Sequence, residues 1–297
     1  MSSLAYFKLF CQGSYIGLRG FSLNGIRAAG IKRAIGFFLQ PIENWSRYPE
    51  IDTVRKCLGD LTGKKVLDLG SPKMIGFLLA YNQRATFLLT DIWDLAVKEI
   101  KALQERTKTK LKGSITLKTA DLTNLESIKN QEFDVIYSVS VVEHIESLSA
   151  IRKGLEEMDR VTKDGGIIVI SVPIRASYDK EFHQNGVYGQ ISAAGGTFFS
   201  HYFDKKMITD LFFSCSHLKA ESLFISQWRT DSSLLKIWRK VPQKIRGIFG
   251  ILNMLMASRV TQVFEVEPDL RLLNFPPEGD LIIKYRKTPS LLAYKSP

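Results

Sequence analysis

Two apolar runs, KVLDLG at 65–70 and TFLLTD at 86–91, each close on an acid or a glycine-bearing turn, roughly 20 residues apart. Short runs rich in leucine and β-branched residues are what strands covered on both faces require. They commit the chain to a sheet flanked by helices, with charged groups gathered at the strand ends. In such a unit the first turn holds the charged part of a cofactor, and the second acid takes ribose hydroxyls.

The pattern continues along the chain. Helices are expected at 50–60, 73–82, 93–106, 124–129 (short), 147–162 and 204–213. Strands are expected at KKVLDL, ATFLLT, SITLKT, FDVIYSVS, GGIIVISV, LKAESLFIS and DLIIKYRK. Seven strands result, and the first five alternate with helices and should run parallel.

The chain has 297 residues, 45% of them hydrophobic, enough for one large core. Its net charge of +11 implies attraction to something anionic: nucleic acid, an acidic membrane surface or a phosphorylated substrate. Cys11, Cys57 and Cys215 form no CxxC pair, so neither a disulfide framework nor a thiolate metal site is suggested, and the reducing cytosol is the natural compartment. No run reaches the roughly 18 apolar residues of a membrane span, and the start lacks a secretory signal. Membrane contact is therefore expected to be peripheral, at an anionic inner surface.

Three regions are expected. Residues 1–46 form a basic, aromatic-rich segment, with Lys8, Arg19, Arg27, Lys32 and Arg33 and no acid before Glu43. Residues 47–227 and 278–288 form the α/β domain. Between its last two strands, residues 228–277 form a basic helical insertion that Pro242 divides into two short helices. Both basic segments read either as interfacial elements for anionic lipid or as amphipathic covers with their cations in water.

Five motifs in order, VLDLGS at 66–71, LLTD at 88–91, ADLTNL at 120–125, FDVIYSVSVVEHI at 133–145 and DGGIIVISVP ending at Pro173, resemble those of class I S-adenosylmethionine-dependent methyltransferases. The resemblance spans about residues 47–227 plus 279–286. It implies a Rossmann-like, seven-stranded, mostly parallel sheet with helices on both faces and an antiparallel last strand. It also implies S-adenosyl-L-methionine as cofactor. Asp68, Gly70, Ser71 and Pro72 then face its amino-acid end, and Asp91 and Ile92 its ribose. Asp121 and Leu122 fall beside its adenine, with Ser138 at the tip of the fourth strand. One departure stands out: a D-x-G-x-G-x-G turn has glycines where this chain has Pro72 and Met74. Pro72 suits the first turn of the following helix, and Lys73 reads as solvated or as a partner for the cofactor carboxylate.

Methyl transfer asks the protein mainly to align a nucleophile, with a base if the acceptor is a hydroxyl. His144, just past the fourth strand, is the expected base, and Glu143 is the second candidate. Tyr178, His183, Tyr188, His201 and Tyr202 fall in the loops that should roof the acceptor, with Tyr178, His183 and Tyr202 chosen as substrate contacts. His183 and His201 with Glu181 and Asp204 match no compact metal spacing, so no metal is expected. The acceptor is expected to be a small molecule, a sugar or a lipid-linked intermediate, methylated on oxygen, with nitrogen as the second choice. The alternatives are a catalytically silent scaffold docked on a membrane or assembly, and an RNA methyltransferase. Nucleic acid is disfavoured because no recognised RNA-binding module accompanies the cations. Oligomeric state has no signature in the sequence.

Overall fold

A computed structural model describes residues 3–20, 39–42, 44–184, 196–215, 217–242, 250–269 and 274–289. Arg27, Lys32, Arg33, Tyr188, Lys244 and Arg246 lie outside them.

The chain begins with α1 (Ser3–Gly20) and α2 (Arg47–Leu58). It continues through β1 (Lys65–Leu69), α3 (Met74–Asn82), β2 (Thr86–Asp91), α4 (Asp94–Thr107), β3 (Ser114–Thr119) and β4 (Phe133–Val139). A 3-10 turn (Val142–His144) leads to α5 (Leu148–Val161) and β5 (Thr162–Ile174). A hairpin follows, β6 (Asp179–His183) and β7 (Thr197–Tyr202), then α6 (Lys205–Phe212) and β8 (Leu218–Trp228). The last elements are α7 (Ser233–Lys240), α8 (Gly250–Val260), β9 (Thr261–Val266) and β10 (Gly279–Lys287).

One sheet runs in the order β3-β2-β1-β4-β5-β10-β8-β9, and β6-β7 form a separate pair. β1 to β5 are mutually parallel, and β10 is antiparallel to both β5 and β8. The sheet is therefore Rossmann-like, but it has eight strands rather than seven. The extra one is β9, antiparallel to β8 at the edge, inside the stretch expected to be helical. Thr261, Val263 and Val266 supply β-branched side chains suited to a pleated surface. The short helix expected at 124–129 is absent. There, Asp121 accepts from the Thr123 amide and Glu157 Oε2 from the Leu125 amide, so side chains rather than helical carbonyls satisfy the backbone.

Side-chain alternation divides the core. Val66, Val135, Tyr137, Val139 and Val169 pack with α1, α2, α3 and α8 on one face. Leu67, Leu69, Ile136, Ile168 and Ile170 pack with α5 and α6 on the other. Both faces are thus sealed by apolar contact. Polar groups concentrate at the carboxyl ends of the parallel strands, where open α/β sheets bind ligands.

Candidate functional site

The turn after β1 is built around Asp68, which is fully buried. Its Oδ1 accepts from the Ser71 amide at 2.9 Å, while Oδ2 has no hydrogen-bond partner among the described residues. Burial pushes the carboxyl up to about 6, against the opposing pull of the Lys73 charge and the Ser71 contacts. Gly70 holds φ at +76°, and a Cβ there would meet Val141 Cγ1 at 2.9 Å. Only glycine suits both conditions. Ser71 Oγ accepts from the Val139 amide, which pins the turn to β4. Pro72 O accepts from the Ile75 amide, so the turn runs straight into α3.

Lys73 is not solvated. Its ammonium donates to Thr90 O at 2.5 Å and Ser71 O at 3.1 Å, and it stands 3.3 Å from Asp91 Oδ2. Asp91 Oδ1 accepts from the Trp93 amide, which aims the other oxygen away from its own backbone. Ile92 beside it is exposed. At the neighbouring strand tip, Asp121 accepts from both the amide and hydroxyl of Thr123, and Leu122 is buried with Gly154 beside it. Ser138 donates to Leu69 O inside the sheet. Strand order sets Asp121, Asp91 and the Gly70 turn along one edge.

Beyond β4 and β5 lies a buried polar cluster that sequence reasoning missed. Glu50 Oε1 accepts from Ser140 Oγ at 2.7 Å and Ser171 Oγ at 2.5 Å, and Glu50 Oε2 pairs with Arg47 at 2.7 Å. Arg47 also donates to Ser140 Oγ. Asp280, on β10, accepts from Trp228 Nε1, and burial pushes its carboxyl well above the usual range. Glu143 joins this group: burial raises it to about 8 despite the Arg47 charge, and Oε2 has no hydrogen-bond partner among the described residues. No local sequence pattern marks it; in the structure Ser140 holds φ at +50°, which is rare without glycine.

His144 sits at the rim of this cluster, with Nε2 4.0 Å from Glu143 Oε1. Its Nδ1 is 2.6 Å from Phe199 O, a contact that assigns the proton to Nδ1 and a lone pair to Nε2 in the neutral ring. Burial lowers its pKa, so the ring is neutral at pH 7. Phe199 links the hairpin to this turn, with the His183 ring at 4.2 Å and the His144 ring at 4.9 Å. His183 and Tyr202 converge on Glu181, at 2.9 and 2.6 Å. Tyr178 faces His201 instead, whose Nε2 donates to the carbonyls of Ile145 and Glu146. His183 is thus brought beside the His144 turn, whereas the Tyr178–His201 pair braces the loop behind it.

Residues 67–170 match the model of a family described as a methyltransferase domain. Over this stretch the chain is similar to methyltransferase domains. No curated protein matches the chain. Among solved structures, the [4+2]-cyclase SpnF shares the fold at a TM-score of 0.51 and 11% identity, over 82% of each chain. The MccD protein does so at 0.50 and 13%, over 80% of this chain and 96% of its own. A SAM-dependent methyltransferase from Methanosarcina mazei aligns at 0.48 and 15%, over 77% of this chain and 94% of its own. At the carboxyl edge of the sheet, S-adenosylmethionine fits the residues present: a strand-tip carboxylate suited to ribose hydroxyls, a turn without room for a side chain at Gly70, and the buried carboxyl of Asp68.

Proposed function

We propose that the domain methylates an oxygen of a small-molecule, sugar or lipid-linked acceptor, with His144 as general base. The orientation of the His144 ring carries this reading. Phe199 O holds Nδ1–H, which puts the ring's lone pair on Nε2, the atom assigned to take the acceptor's hydroxyl proton. When bound, S-adenosylmethionine supplies an electrophilic methyl carbon on a sulfonium. Asp91 is assigned its ribose hydroxyls, Asp68 and the Gly70–Pro72 turn its amino-acid end, and Asp121 with Leu122 its adenine. The chain's remaining work is alignment. Glu143, held protonated near neutral pH, keeps the wall beside His144 free of a fixed negative charge. Tyr202 and His183, tied together by Glu181, are assigned to the acceptor roof.

Transfer of labelled methyl from S-adenosylmethionine to paired hydroxyl and amine acceptors, including saccharides and lipid-linked saccharides, tests the reading. Label on hydroxyls that disappears in His144→Ala supports it. Label confined to amines contradicts it.

A further inference from the structure

We infer that α1 and α8 form a docking face for an anionic lipid bilayer. The chain carries 41 Lys and Arg against 30 Asp and Glu. Residues 1–42 and 232–264 contain no acid, and they hold 11 of the cations. Elsewhere there are 30 cations for 30 acids, so the whole net charge of +11 resides in these two stretches. They are far apart in sequence, yet α1 packs against α8, which also touches α7.

The outward side of this pair is apolar as well as basic. On α1, Leu4, Phe7 and Leu18 are 73%, 47% and 51% exposed, beside the exposed Lys8 and Arg19. On α8, Ile251, Leu252 and Leu255 face outward with Arg259, and α7 adds Ile237 beside Lys236 and Lys240. Arg239 on α7 pairs with Glu278 at 2.6 Å. Apolar tips flanked by Lys and Arg suit the headgroup zone of an anionic leaflet, where the tips leave water and the cations meet lipid phosphates. The tips are mostly aliphatic, whereas single-stranded RNA would need aromatic platforms for its bases. A second copy of the same face would meet like charge. No described helix is long and apolar enough to cross a membrane, so this contact is peripheral.

The inner side of the pair packs on the segment that leads into α2. Gly13 of α1 lies against Pro41, and Gly250 of α8 against Leu39 O and Gln40. Residues 39–42 sit a few positions before Arg47 and Glu50 of the buried polar cluster.

Flotation of the full chain with vesicles tests this. The chain should float with phosphatidylcholine mixed with phosphatidylglycerol, not with phosphatidylcholine alone, and flotation should fall as salt rises. Combining Leu4→Ser, Phe7→Ser, Ile251→Ser and Leu255→Ser should weaken vesicle binding about tenfold while leaving Tm and S-adenosylmethionine binding unchanged, because these side chains touch water. Lys8→Glu with Arg259→Glu tests the charge separately and should also weaken flotation. Equal flotation on neutral vesicles, no flotation, indifference to both sets of substitutions, or retention on single-stranded RNA instead of vesicles would overturn the assignment.

Discussion

Lys73 Nζ stands 3.3 Å from Asp91 Oδ2, on the acid assigned to the cofactor ribose. The pair is largely shielded, with side chains 9% and 20% exposed. A ligand whose hydroxyls seek Asp91 must first displace this ammonium, and a sulfonium cofactor also meets its positive charge. A partly screened ion pair is worth about 1 kcal/mol. Lys73→Met should therefore tighten S-adenosylmethionine about fivefold, and S-adenosylhomocysteine, which lacks the sulfonium charge, by less. Calorimetry on the two ligands checks this. Weaker binding by the variant would show that Lys73 holds the cofactor rather than opposing it.

His144→Ala should lower kcat by about 10²–10⁴-fold while leaving cofactor affinity within twofold, since the ring is assigned to the acceptor's proton. The wild-type rate should rise with pH along a limb centred below 6.5, because burial lowers the His144 pKa and the neutral ring is the working form. A limb above 7, or an equal loss of cofactor binding, would remove the base assignment.

Glu143 gives a stability signature. Its folded pKa of about 8 lies above its ordinary value of 4.5, so the folded protein binds the extra proton between them. Its stabilising contribution is complete below pH 4.5 and is lost as pH rises through 8. Tm should drop between pH 7 and 9. Glu143→Gln, which mimics the protonated group, should remove a few degrees of that drop, corresponding to about 1–2 kcal/mol. Thermal melts across this range decide it, and parallel profiles for the two proteins would count against the buried protonated acid.

Gly70→Ala should lower stability by about 1–3 kcal/mol, because the new Cβ strains φ at +76° and meets Val141 Cγ1 at 2.9 Å. Adding Val141→Ala relieves the clash but not the φ strain, so rescue in denaturant titration should be partial. Complete rescue would mean that the turn tolerates a side chain.

The sheet was legible because each strand buried on two faces must be apolar along its length, a pattern that VLDL, FLLT and IIVISV carry unaided. β9 was not, since TQVFEV is short, half polar and lies at an edge in a stretch dominated by basic helical residues. That the strand-end acids line one sheet edge could be read from the sequence, but the fate of Lys73 could not. Helical periodicity does not say whether a long cation in the first turn folds back onto Thr90 O and Asp91 or extends into water. The polar cluster was hidden for another reason. Arg47 and Glu50 of α2, Ser140, Ser171 and Asp280 come from four separate stretches, and the β4-β5-β10 adjacency with α2 packed against it brings them together. Glu50 in particular reads as a helix-start acid, although it is buried against two serines.

The most direct test is calorimetric titration of S-adenosylmethionine into the wild-type chain and Asp91→Asn. Saturable one-to-one binding that weakens at least tenfold in the variant is expected, because the amide loses the charge that accepts the ribose hydrogens. No saturable binding to the wild type, or equal affinity in the two proteins, would contradict the assignment of this strand edge to the cofactor.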